Sequence, residues 1–163
     1  SQIRSFYLAL ALIFLLMLVW LRSFRLALIS LVPNVFPVAM MLGTMGYLGI
    51  DLDLGTATIT AIVLGVAIDD TVHFLYYWRR AENQRKSWSE CLEYTFNRAG
   101  EPATITTFVL VVGFPVLMLA GVKSVAYVGM LMTLSALSAL FADVVLLPIL
   151  LKYFRPSWDR KAL

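Results

Sequence analysis

The sequence predicts an all-α membrane protein: a polytopic bundle of five transmembrane helices with one amphipathic helix at the cytoplasmic interface. Hydrophobic residues make up 61% of the 163-residue chain, whereas a soluble domain has about half. Charged residues make up only 14% and lie in short clusters between long uncharged runs. Mean hydropathy is +0.85, and a globule of this size exposes too much surface to hide that much apolar material from water.

This composition excludes several classes of protein. It is incompatible with a soluble enzyme, a nucleic-acid-binding module or a disordered tail, so we expect no enzymatic activity and no nucleic-acid partner. With one His and one Cys in the whole chain, a metal centre is also not expected. We therefore predict no cofactor and treat H⁺ as the candidate coupling ion.

Five apolar runs reach, or nearly reach, the length of about 20 residues that crosses a bilayer. We assign residues 1–163 to a single transmembrane domain, with spans at residues 5–21, 26–50, 54–78, 102–122 and 124–151. Only Asp69 and Asp70 interrupt the third run, and only Asp143 interrupts the fifth.

The distribution of basic residues predicts the orientation of the bundle. Of 13 Lys and Arg residues, 11 fall on one side of the predicted spans. Basic loops face the cytoplasm. We therefore expect a multi-pass protein of the bacterial inner membrane, with its amino terminus outside and its carboxyl terminus in the cytoplasm.

The loop between the third and fourth spans carries a helix signal over residues 87–99. Ser87 and Glu90 have the spacing of a capping box. Apolar residues follow Trp88 at helical spacing, and Gly100 is expected to end the helix. Such an amphipathic helix is typical of a segment that lies on the inner membrane face.

The acidic pair in the third span is the main functional signal. An Asp near the centre of a spanning helix costs about 2.5–3.5 kcal/mol on insertion scales, and intramembrane carboxylates mark proton or ion pathways. Charging both Asp69 and Asp70 in one low-dielectric site is unfavourable, so we expect at least one to bind a proton. His73 lies one turn away and either relays protons inward or caps the pair.

Other polar residues lie at similar depths in their spans. Asp70 precedes Trp78, and Asp143 precedes Leu151, by the same number of residues, which places both carboxyls about 12 Å above the inner boundary. For the remaining candidates, bonding to their own helix is an equal alternative; they are Asn34, Thr106 and Thr107. The predicted proton-relay set comprises Asp69, Asp70, His73, Asp143, Thr106 and Thr107.

The stretch Gly65-Val-Ala-Ile-Asp-Asp-Thr-Val-His-Phe resembles the proton-relay helix of the resistance–nodulation–division (RND) superfamily. The resemblance is closest to the MMPL-type branch of exporters, which includes relatives of Patched. The resemblance covers nearly the whole chain. Four further segments match: Leu31-Val-Pro-Asn-Val-Phe-Pro, Gly46-Tyr-Leu-Gly-Ile-Asp-Leu, Thr106-Thr-Phe-Val-Leu-Val-Val-Gly-Phe and Ala142-Asp-Val-Val-Leu-Leu-Pro.

The resemblance implies five spans of the carboxy-terminal half of a proton antiporter that exports lipids or other hydrophobic molecules. It also implies that Asp69 and Asp70 carry proton coupling, with Thr106 and Thr107 assisting. Implied partners are membrane lipids, a hydrophobic substrate, and the other half and extracytoplasmic porter domain of the same protein; homo-oligomerisation stays open. The alternative is a lipid-binding regulatory module like a sterol-sensing domain, which does not pump and has no need of a titrating pair.

Overall fold

The computed structural model describes residues 2–51 and 54–154, and this part of the chain forms a helical bundle without strands. It contains seven α-helices: α1 (Gln2–Leu21), α2 (Phe24–Leu48), α3 (Leu54–Asn83), α4 (Trp88–Thr95), α5 (Glu101–Gly113), α6 (Lys123–Phe141) and α7 (Leu147–Tyr153). A π-helical turn joins α4 to α5 (Phe96–Gly100), another joins α6 to α7 (Ala142–Leu146), and a 3₁₀ segment (Phe114–Leu119) follows α5.

Several of these segments follow one another without a break and form longer continuous helices. Four continuous helices are long and apolar enough to cross a bilayer: Phe24–Leu48, Gly55–Asn83, Trp88–Leu119 and Lys123–Tyr153. A shorter apolar helix, Tyr7–Leu21, precedes them. The prediction of an all-helical membrane protein is therefore confirmed for the described residues.

Three helices form the centre of the bundle. α2, α3 and α6 pack against one another, while α1 lies on α2 and α5 lies on α6. Their buried apolar side chains form two clusters, one toward the arginine-rich end around Leu75 and Leu147, and one toward the other end around Met41 and Leu131. Ser30 and Asn34 of α2 and Thr71 of α3 are buried polar residues that lie between the two clusters in sequence, and this arrangement positions the candidate site.

The structure corrects the predicted end of the interfacial helix. Gly100 does not stop it: the backbone stays helical from Trp88 to Leu119. The π-helical turn ends two residues before Pro102, and the Glu101 N–H donates to the Phe96 carbonyl. Because proline has no N–H and its ring clashes with the carbonyl four residues earlier, a widened turn lets the helix pass through. The predicted fourth span at residues 102–122 is therefore part of a longer helix, which ends at Leu119.

The amino end of α4 has the predicted capping box. The Ser87 backbone N–H donates to Glu90 Oε2 at 2.7 Å, and the Glu90 N–H donates to Ser87 Oγ at 3.4 Å. These two bonds satisfy amide groups that the first turn of a helix leaves without partners. The cap therefore fixes where the chain turns from the end of α3 into α4.

A close contact between α6 and the segment after α5 predicts a strong effect of a small substitution. A Cβ added at Gly129 would lie 2.6 Å from the Phe114 carbonyl oxygen and 3.0 Å from Leu117 Cβ. We expect Gly129→Ala to destabilise the protein by about 1–3 kcal/mol, because overpacking forces backbone shifts. Gly43→Ala is the matched control, since a Cβ there meets nothing within 4 Å. Equal thermal unfolding temperatures in detergent for the two variants would contradict this packing.

Candidate functional site

The middle of α3 carries polar side chains on two opposite sides. Asp69 and His73 lie on the outward surface of the bundle, with exposed side-chain fractions of 74% and 61%. Thr71 is fully buried and faces α2 and the π-helical turn that follows α6. Asp70 is half-buried between these two sides. One turn of helix thus links the surface of the bundle to its interior.

Asp69 and His73 form a pair on the outward side. His73 Nε2 lies 3.6 Å from Asp69 Oδ1, at the i,i+4 spacing that places side chains next to each other on a helix. The pair carries a full ionic interaction only when His73 is protonated. The expected proximity of His73 to the acidic residues is therefore present, but only Asp69 contacts it within ion-pair distance.

On the inward side, Thr71 contacts a carboxylate from another helix. The Thr71 hydroxyl donates to Asp143 Oδ1 at 2.7 Å, and Asp143 is only 3% exposed. This hydrogen bond joins α3 to the π-helical turn between α6 and α7. Asp143 therefore lies at the level of the α3 acidic residues, which is the depth that residue counting gives.

A third helix completes the inward cluster. Asn34 of α2 is fully buried, and its Oδ1 lies 3.4 Å from the Thr71 hydroxyl. Its Nδ2 donates to the Ser30 carbonyl at 2.6 Å, which fixes the orientation of the amide and turns Oδ1 toward Thr71. We refer to Asn34, Thr71 and Asp143 as the buried triad.

Asp70 stands beside the buried triad without a cation of its own. Its carboxylate lies within electrostatic range of Asp69, His73 and Asp143. Among residues 2–51 and 54–154, no Lys or Arg forms an ion pair with Asp70 or Asp143. Buried charges in proteins are normally paired, so two carboxyls without a cationic partner are an unusual feature of this part of the bundle.

The π-helical turn explains why Asp143 can face Thr71. The turn ends two residues before Pro148, and the Leu147 N–H donates to the Ala142 carbonyl. Pro148 cannot bond to the carbonyl four residues earlier, and the π-helical turn absorbs this defect. Single π-helical turns are frequent at functional sites because they reorient the side chains that they carry.

The two threonines of α5 are not brought to the acidic residues by hydrogen bonds. The Thr106 hydroxyl is on the bundle surface and donates to the Pro102 carbonyl of its own helix at 3.0 Å. Thr107 is buried, with 5% of its surface exposed. Within the described residues, neither threonine forms a hydrogen bond with Asp69, Asp70 or Asp143.

Two interior residues were not among the predicted relay set. Thr71 follows the acidic pair directly, but a threonine within a helix usually bonds to its own helix, so no sequence pattern distinguishes it as a site residue. Ser135 of α6 is 1% exposed, and its hydroxyl has no hydrogen-bond partner among the described residues. No cluster of three or more His, Cys, Asp or Glu that could hold a metal ion occurs in the described part of the chain.

Comparison with known proteins identifies the family. The model of the AcrB/AcrD/AcrF family matches residues 3–154. The chain belongs to this family. Its membership supports the coarser part of the predicted resemblance, an RND permease with a helical membrane region.

The chain is similar to a protein from an archaeon. The protein MJ1562 of Methanocaldococcus jannaschii, which is named as a membrane protein, is 27% identical over 139 residues. The match covers 85% of the present chain and 36% of MJ1562. The chain thus spans about a third of the length of this relative. No solved structure matches the chain significantly.

Proposed function

We propose that this AcrB/AcrD/AcrF family chain is the proton-coupling membrane part of an RND-type exporter. The observation that carries the proposal is Asp143, a carboxyl that is 3% exposed within a membrane bundle, bonded to Thr71 and adjacent to Asp70. Residues of this type inside a membrane are costly and are retained for ion or proton pathways. In this proposal Asp69, Asp70 and Asp143 bind protons, and His73 assists.

The buried triad couples protonation to helix packing. A threonine hydroxyl has one hydrogen to donate. When Asp143 is ionised, Thr71 donates to it at 2.7 Å. When Asp143 is protonated, it donates to Thr71, whose hydrogen turns to Asn34 Oδ1 at 3.4 Å. Protonation of Asp143 thereby reverses the direction of its hydrogen bond with Thr71 and adds a bond from α3 to Asn34 of α2. This change in bonding would give the transporter two helix arrangements.

The polar residues define a direction for the proton. Ser135 lies on α6 toward the outer end, about 12 Å from Asp143 at 1.5 Å per residue. Its unpartnered hydroxyl is suited to bind a water molecule at the start of the path. Asp143 and Asp70 occupy the middle of the path, and His73 lies one turn closer to the arginine-rich end. Protons enter from outside and leave past His73.

Asp69 and His73 also indicate where the partner binds. A polar pair with side chains more than half exposed is unfavourable against lipid. We propose that this face packs against the other half of the exporter, or against a second copy of this chain, and that an extracytoplasmic porter domain is driven by the resulting motion. Thr106 lies on the exposed side of α5 and belongs to the same contact, with Thr107 behind it.

The membrane topology of the proposal has five spans. α1 is the first span, α2 and α3 are the next two, and the helices ending at Leu119 and Tyr153 are the last two. α4 is the first part of the helix that ends at Leu119 and begins it at the inner membrane face. By the positive-inside rule, we propose that the protein lies in a bacterial inner membrane with its amino terminus outside and its carboxyl terminus in the cytoplasm.

The proposed substrate class is lipids and other hydrophobic molecules, as in the MMPL-type branch that the sequence resembles. Transport is by proton antiport, without an enzymatic step. A regulatory module like a sterol-sensing domain is the competing function. The unpaired carboxyls at Asp70 and Asp143 favour the exporter, because a lipid sensor has no use for intramembrane proton sites.

The direct test is reconstitution of the intact protein in liposomes that contain a pH-sensitive dye and a fluorescent lipid. An imposed pH gradient should drive movement of the lipid, and the lipid should accelerate dissipation of the gradient. Collapse of the gradient by a protonophore is the control and should stop transport. Lipid movement that proceeds at the same rate without a gradient would contradict proton coupling.

A further inference from the structure

A polar pocket lies between α1 and the last turns of α3, at the arginine-rich end of the bundle. Its volume is about 510 Å³. The lining combines two aromatic rings, two guanidinium groups and two side-chain amides: Trp20, Tyr76, Arg79, Arg80, Asn83 and Gln84. None of these residues belongs to the proton path.

The walls of the pocket are held in place by contacts between the two helices. The rings of Trp20 and Tyr76 lie 6.4 Å apart, with an interplanar angle of 31°. Arg79 Nη1 lies 3.5 Å from the Trp20 carbonyl oxygen, at the carboxyl end of α1. Because that end of a helix carries a partial negative charge, the contact holds the guanidinium at the pocket wall.

Positive charge exceeds negative charge around the pocket. Arg79 and Arg80 line it, and the charge of Arg22, which directly follows α1, acts on Arg79. Glu82 is the carboxylate whose charge acts on Arg79. Arg22 and Arg79 repel each other, and an anion bound in the pocket would relieve this repulsion. The planar donor arrangement of arginine matches the oxygens of a phosphate group.

The position of the pocket favours a lipid over a free anion. The apolar run of α3 ends at Trp78, so Arg79 begins the water-facing segment. Trp and Tyr side chains are typical of the headgroup level of a bilayer. Leu16, one turn before Trp20 on α1, is 66% exposed and lies on the bilayer-centre side of Trp20. A molecule with a phosphate head and an acyl chain fits both parts.

We propose that this pocket binds the phosphodiester headgroup of an anionic phospholipid, with Arg79 and Arg80 contacting the phosphate and Leu16 contacting an acyl chain. Basic pockets between transmembrane helices on the cytoplasmic side hold such headgroups in other membrane proteins. The bound lipid fastens the end of α1 to α3. This site does not depend on proton coupling, so lipid binding can be tested independently of the proposed export.

The proposal is tested by native mass spectrometry of the intact protein with phosphatidylglycerol, phosphatidylcholine or glycerol phosphate added. Phosphatidylglycerol should be retained by the unmodified protein, and phosphatidylcholine should not. We expect retention to fall about fivefold for each arginine contact removed. The variants are Arg80→Gln, which leaves the contact of Arg79 with α1 in place, and the double variant Arg79→Gln/Arg80→Gln.

Lys152→Gln is the matched control, since it removes one exposed positive charge at the same end of the bundle, outside the pocket. If Lys152→Gln lowers retention as much as Arg80→Gln, the binding is a general charge effect and the proposal is wrong. Retention of glycerol phosphate equal to that of the phospholipid would overturn the lipid assignment. If the double variant does not fold, the comparison of Arg80→Gln with Lys152→Gln decides alone.

Discussion

Asp70→Asn should abolish gradient-driven transport by the intact protein, with a loss of at least about 100-fold, as expected when an essential proton carrier is removed. Asparagine has nearly the shape of aspartate but cannot exchange a proton, so the site is fixed in a neutral state. Folding and membrane insertion should be unchanged, because a neutral side chain is easier to bury than a carboxylate. The measurement is the initial rate of export from proteoliposomes under an imposed pH gradient.

Asp51→Asn is the matched control for this variant. Asp51 is an exposed residue just after α2, so the substitution removes the same charge away from the proposed path and should keep the original rate. Asp69→Asn should also abolish transport in the proposed relay, and it should in addition weaken the proposed contact of this face with the other half of the exporter. Export by both Asn variants at the rate of the unmodified protein would refute the relay.

Thr71→Val is expected to have the second-largest effect. Valine keeps the shape of the side chain but removes the hydroxyl that donates to Asp143 at 2.7 Å. A buried polar group that loses its partner costs about 1–3 kcal/mol, so we expect a loss of stability of this size. Transport should fall about tenfold or more, since a tenfold change corresponds to about 1.4 kcal/mol and α3 loses its switchable bond.

Two further variants separate this role from general helix destabilisation. Thr60→Val lies on the same helix, and its hydroxyl bonds to the Thr56 carbonyl within α3 at 2.8 Å. This control should change stability little and leave transport unchanged. Thr71→Ser retains the hydroxyl and should restore most of the transport. A rate in Thr71→Val equal to that in Thr60→Val would show that the buried triad has no part in coupling.

Part of the site could be predicted from the sequence because depth in a spanning helix depends only on residue count. The equal distances of Asp70 and Asp143 from the ends of their spans place them in one layer, and the Thr71–Asp143 bond joins those helices at that level. The direction in which each side chain faces could not be predicted. These helices are apolar all round, so hydrophobic periodicity does not distinguish lipid-facing from buried positions.

The continuous helix from Trp88 to Leu119 was missed for a different reason. Gly100 and Pro102 are ordinary stop and start signals, and nothing local distinguishes them from a π-helical turn. Packing against α3 determines the conformation of this segment. The ring of Phe96 contacts the ring of Phe74 on α3, and Ala99 is buried in the same apolar cluster. Tertiary contacts thus hold the segment helical where its own sequence favours an interruption.

In the proposed mechanism, carboxyl groups inside the bundle bind and release a proton. Infrared spectroscopy of the intact protein in lipid detects the C=O band of protonated carboxyls and can follow it from mildly acidic to neutral pH. We expect a band that loses intensity over this range and is diminished in both Asp70→Asn and Asp143→Asn, but not in Asp51→Asn. A band that is insensitive to pH, or unchanged in both interior variants, would contradict proton coupling at this site.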